Sequence, residues 1–183
     1  MVVLEEVFEK FCDYLDGRIK WGDSSRFWTE TVFGFFSELN RKQAVPYVEE
    51  RDYMRVDYIW RSDPEKHLTE DIVLAVEHEN QVSDIDTLIK EEIRHLVDIK
   101  AFNKIGIFYI SEGDEKEFIE RISQTIKRVT MRNSLEKYLI ILGYTPKKGR
   151  GTILFRGFFL NYEGERIGER ERVILQAQRK AIK

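Results

Sequence analysis

Asp57 in the segment RVDYIW, and Glu77 and Glu79 in IVLAVEHENQ, are the residues of this chain best placed to do chemistry. Strand side chains alternate between two faces, so Glu77 and Glu79 point the same way. Pairing of the two segments would set Asp57 beside them. Carboxylates held together repel unless something positive sits among them. A hard divalent cation takes oxygen ligands, so the cluster predicts a Mg2+ or Mn2+ site. An ion so held activates water for phosphodiester hydrolysis. The competing reading is a set of ion pairs on a sheet edge, with Arg55 or Lys104 neutralising Glu77 and Glu79.

The surrounding elements must hold those acids in place. Residues 3–20 carry Val3, Leu4, Val7, Phe8, Phe11, Tyr14 and Leu15 at helical spacing, and Gly17 closes that helix. A second helix, capped by Asp23, Ser24 or Ser25, runs through RFWTETVFGFFSELN with a broad apolar face. AVPYVEE and YMRVDYIW read as strands, with Pro46 putting the first at an edge or a strand start. IVLAVEHE is apolar on both faces until its acids. Ser83 and Asp86 form a Ser-x-x-Asp start for a helix reaching about Lys100. KIGIFYIS, KYLIILGY and TILFRGFFLNY are further strands, with the helix EKEFIERISQTIKRVTMRN between the first two. RIGERERVILQAQRKAIK is open to a helix or a hairpin arm, and its final half reads as helix. The strand–helix–strand units predict an α/β fold with a mixed sheet flanked by helices, in a single domain of 183 residues.

RVDYIW, VEHENQ beginning 19 residues after Asp57, and the order of the elements together resemble the PD-(D/E)xK nuclease superfamily, which has the restriction-endonuclease-like fold. The resemblance covers about residues 25–145, with a basic extension over about 147–183. It implies a Mg2+-dependent nuclease acting on DNA. By it, Asp57 and Glu77 bind the metal, the backbone carbonyl of His78 completes the shell, and Glu30 on the preceding helix is a further ligand, with Glu38 the second choice. The superfamily's usual Lys is replaced by Glu79. That moves this position from orienting the attacking water to a second-metal ligand or general base. Lys90 on the next helix is the candidate for a displaced lysine. Many nucleases of this shape are homodimers, and TILFRGFFLNY is open to a role as interface or as interior strand. The alternative function is a non-catalytic nucleic-acid-binding or protein-interaction module on the same fold, with Glu79 marking a degenerate site.

Charge distribution fits a polyanion partner. Net charge is −3, yet Lys147–Lys183 holds ten Lys or Arg against four Glu, a net of +6, leaving −9 on residues 1–146. Lys147, Lys148, Arg150 and Arg156 are the candidate phosphate-backbone contacts. His78 alternates away from the acids and is expected to pack against a helix. No His-x3-His pair and no Gly-rich phosphate loop occurs. The single Cys12 lies on the apolar stripe of the first helix and reads as an inert buried thiol. One cysteine excludes an intramolecular disulfide, and no apolar run approaches the ~20 residues of a membrane span. These features predict a cytoplasmic protein without membrane contact.

Overall fold

The computed structural model describes residues 2–63, 65–67, 71–80, 84–130, 133–144 and 151–178. Two helices open the chain, α1 (Leu4–Leu15) and α2 (Ser25–Arg41). The apolar stripe of α1 is buried over Leu4, Val7, Phe8, Phe11, Cys12 and Leu15. Ser24 caps α2, its hydroxyl accepting the Phe27 N–H at 3.3 Å. Cys12 is free and buried, and burial pushes its thiol pKa up to about 12, so the inert reading stands.

Seven strands form one sheet in plain sequence order: β1 (Val48–Tyr53), β2 (Val56–Arg61), β3 (Ile72–Glu79), β4 (Ala101–Ile110), β5 (Lys137–Tyr144), β6 (Thr152–Asn161) and β7 (Arg166–Leu175). The first three form an antiparallel meander, β3, β4 and β5 run parallel, and β6 and β7 return antiparallel. The parallel strands are joined by helical crossovers. The first contains α3 (Ile85–Leu88), a π-helical turn (Ile89–Ile93) and α4 (Arg94–Asp98); the second contains α5 (Glu115–Lys127). Crossovers of one hand that advance across the sheet in one direction leave their helices on one face.

The two faces have separate cores. α1 and α2 cover Tyr58, Trp60, Val76, Ile105, Ile107, Tyr109 and Phe155. The crossover helices cover Ile59, Ala75, Phe108, Tyr138, Ile140 and Phe158. Alternation along β3 therefore sends Val76 and His78 to the first face and Ala75, Glu77 and Glu79 to the second. α1 lies close on the sheet because β6 carries Gly157 under it: a Cβ there would stand 2.7 Å from the Phe8 ring.

Several details depart from the sequence expectations. The cap of α3 is Asp84, which accepts the Thr87 N–H at 3.0 Å, while Ser83 lies outside the described residues. The helix predicted to run unbroken to about Lys100 contains the π turn. RIGERERVIL is the hairpin arm that the sequence left open. Asn161 makes the hairpin turn that fixes it, its side chain accepting N–H groups of Glu163 and Glu165 at 3.0 and 2.9 Å. Residues 176–178 are not helical, and the rest of that tail lies outside the described residues. TILFRGFFLN takes one of the two readings left open for it, an interior strand between β5 and β7. No helix among the described residues is long and apolar enough to cross a membrane.

Candidate metal centre

Asp57 and Glu77 meet where the β2–β3 ladder stops. The pairing runs from Arg61↔Ile72 to Tyr58↔Val76. Beyond that point Asp57 takes over the role of a strand partner: its Oδ2 accepts the backbone N–H of His78 at 2.8 Å. The side chain of Asp57 is thereby fixed on the crossover-helix face, beside Glu77. β3 is an inner strand, flanked by β2 and β4, so the acids do not sit on a sheet edge.

Glu77 is 0% exposed, and no donor among the described residues reaches either of its carboxylate oxygens. Burial first, and then the Asp57 and Glu92 carboxylates, push its pKa up to about 10. Without a cation it relieves this by keeping its proton. Burial also raises the pKa of Asp57, against the His78 N–H, which favours the charged form.

Two residues that the sequence reading did not select complete the group. Glu92 lies in the π turn and His95 in the first turn of α4, and both are half-buried. Glu77, Glu92 and His95 each offer one ligand atom, and these atoms all lie within 4.8 Å of one another. His95 Nδ1 stands 3.8 Å from Glu77 Oε1. Burial first, then the charges of Asp57, Glu79 and Glu91, raises the pKa of Glu92 to about 7. The signal in the sequence was Glu-x-x-His at Glu92 and His95: positions i and i+3 share a helix face. π turns are frequent at functional sites because they alter the helix phase locally.

Glu79 belongs to the same cluster, half-buried on the same face as Glu77 and close enough for its charge to act on Glu92. The His78 ring faces the other way, as alternation predicts. It packs edge-on against Phe33 and Tyr109, with Nε2 3.3 Å from the Tyr109 hydroxyl, and burial lowers its pKa to about 3. The His78 carbonyl lies on the strand between the two acids.

Other candidates are placed elsewhere. Glu30 is on α2, which packs against the opposite face of the sheet, and it pairs with Arg51 through two contacts of 3.0 and 3.1 Å. Glu38 pairs with Lys42. Lys90 is exposed on the π turn. Lys104 does not neutralise the acids; its amine goes to Glu136 at 2.9 Å. Arg156 shares the face of the acids but stands three strands away, through the row Glu79↔Phe108, Phe108↔Leu142 and Leu142↔Arg156. It is already held by Glu171 at 2.6 Å and Glu115 at 2.9 Å. Lys147, Lys148 and Arg150 lie outside the described residues.

Comparison with family models, with curated proteins and with solved structures finds no match for this chain.

Proposed function

We propose that this protein is a divalent-metal-dependent nuclease of PD-(D/E)xK type, cleaving phosphodiester bonds of DNA. The observation that carries the reading is Glu77: a fully buried carboxylate, without a donor among the described residues, packed against Asp57 at the splayed end of two strands. A structural acid in that position would have a cation or N–H groups around it. A binding site for an ion leaves its ligands in this state until the ion arrives.

The element order adds support. A helix, an antiparallel meander of three strands, a helical crossover and a fourth strand parallel to the third carry Asp57 on the second strand and Glu77 on the third. In this reading Asp57 and Glu77 hold the ion, with Glu79 beside them as general base or ligand. The ion supplies Lewis-acid charge to a phosphate oxygen and lowers the pKa of bound water. The His78 N–H keeps Asp57 aimed at the site. Asp57, Glu79, Glu92 and His95 are each partly exposed, so the cluster opens to the surface on their side.

The test is cleavage of plasmid and single-stranded DNA with Mn2+ or Mg2+, alongside Asp57→Ala and Glu77→Ala. Activity in the parent that disappears in both variants supports the nuclease. Activity surviving in both is contamination, and no metal-dependent cleavage at all overturns the reading. Glu79 in place of a lysine favours one alternative, a module that binds nucleic acid without cutting it; DNA binding with no cleavage is its signature.

A further inference from the structure

We infer that Glu92 and His95 are ligands of the same ion, and that the His95 imidazole makes the site select a first-row transition ion of the Mn2+ type over Mg2+. This rests on the ion-binding half of the proposed function and not on cleavage.

Three independent features of the geometry point there. The 3.8 Å between His95 Nδ1 and Glu77 Oε1 exceeds the ~3.2 Å limit of a good N–H···O hydrogen bond. It suits two ligands of one ion, since bonds of ~2.1–2.4 Å place opposite ligands ~4.2–4.8 Å apart and adjacent ones nearer ~3 Å. The 4.8 Å span of the Glu77, Glu92 and His95 ligand atoms meets the same condition. Second, Glu77 is closed to solvent and has no donor among the described residues, so its oxygens are aimed into the space these side chains share. Third, the two helix ligands are i, i+3 neighbours at the end of a π turn, so one short segment presents both to the strand.

The ligand set then decides the ion. Glu77 and Glu92 supply oxygen and His95 supplies nitrogen, with Asp57 beside Glu77 as a further oxygen donor. Mg2+ dehydrates reluctantly, keeps several waters and uses one or two carboxylates. A cluster that sets Asp57, Glu92 and His95 around the closed Glu77 carboxylate leaves it little room for those waters. Imidazole favours first-row transition ions, and a carboxylate majority suits Mn2+.

The experiment uses the full chain, with Mn2+ and Mg2+ as probes. Calorimetric titration gives both affinities, and pulsed electron paramagnetic resonance of the Mn2+-loaded protein reads nitrogen hyperfine coupling. Expected are Mn2+ binding at least ~tenfold tighter than Mg2+ and a nitrogen coupling. In His95→Ala the coupling disappears and Mn2+ affinity falls by ~10–100-fold, with a smaller loss for Mg2+. His95→Asp, which returns an oxygen ligand, keeps binding but moves preference toward Mg2+; it decides the matter if His95→Ala folds poorly by circular dichroism. Glu92→Gln weakens both ions. Absent nitrogen coupling, equal affinities in the parent, or an unchanged affinity ratio in the His95 variants each overturns the assignment. Mn2+ bound with nitrogen coupling but no metal-dependent cleavage would instead defeat the nuclease reading and leave this one standing.

Discussion

Lys104 and Glu77 stand on neighbouring parallel strands, both beneath α4 and both shut off from solvent. Their partners differ. The Lys104 amine has three acceptors to match its three protons: the Val97 carbonyl at 3.0 Å, Glu136 at 2.9 Å and the Tyr138 hydroxyl at 3.2 Å. Burial lowers its pKa while the Glu136 hydrogen bond and charge hold the proton on. The Glu77 carboxylate has no donor among the described residues, and its neighbours are mostly further acids. One buried charge is satisfied by the chain itself. The other is satisfied only by a proton or by something from outside. α4 serves both, giving the carbonyl of Val97 near its end to Lys104 and the ring of His95 at its start to Glu77.

The difference can be broken at either end. Glu77→Gln should abolish metal-dependent DNA cleavage, by ~10^3-fold or more, while the chain stays folded; a rate assay with thermal melts of the same preparation checks both. Lys104→Ala should do the reverse. It leaves Glu136 buried without its cation, at a cost of about 3–5 kcal/mol by denaturant unfolding. The double variant Lys104→Met with Glu136→Gln, which removes both charges, should recover most of that loss.

Mn2+ itself should stabilise the parent by about 3 kcal/mol at a hundredfold excess over its Kd, and should leave Glu77→Gln unmoved. In the metal-free protein the sign of the pH effect follows from the raised Glu77 pKa. The folded state holds a proton that the unfolded state releases above about pH 4.5, so stability is full below that value and declines as pH rises toward about 10. A loss of about 1 kcal/mol per pH unit between pH 5 and 7 is expected in denaturant titrations, flattened in Glu77→Gln. Stability rising with pH in that window would show that Glu77 is ionised and already partnered.

The smallest effect belongs to the turn that leads into Asp57. Tyr53 pairs with Val56 across Met54 and Arg55, both in the left-handed region with φ of 50° and 71°. Such a turn favours Asn-Gly. Replacing Met54 and Arg55 by Asn and Gly should add about 1 kcal/mol of stability, with metal affinity unchanged if the strand, and not the turn, aims Asp57.

Alternation made part of this site legible in the chain itself. An acid on RVDYIW and an acid-x-acid at the end of an apolar strand must share a face once those strands pair, and they do. Alternation likewise sends His78 to the opposite core. Glu30 could not be judged the same way. A helix can pack on either face of a sheet, and the apolar stripe of α2 fits the face away from the acids.

Strand alternation and helical period depend on the local chain alone, so the amino-acid sequence determined most of the elements and the face carrying Asp57, Glu77 and Glu79. Packing across the sheet decided the rest. Which lysine met which acid depended on where α4 crossed β4, and Lys104 was taken by Glu136. Glu92 and His95 reached Glu77 because a π turn, which period alone does not reveal, set the phase of the helix over β3.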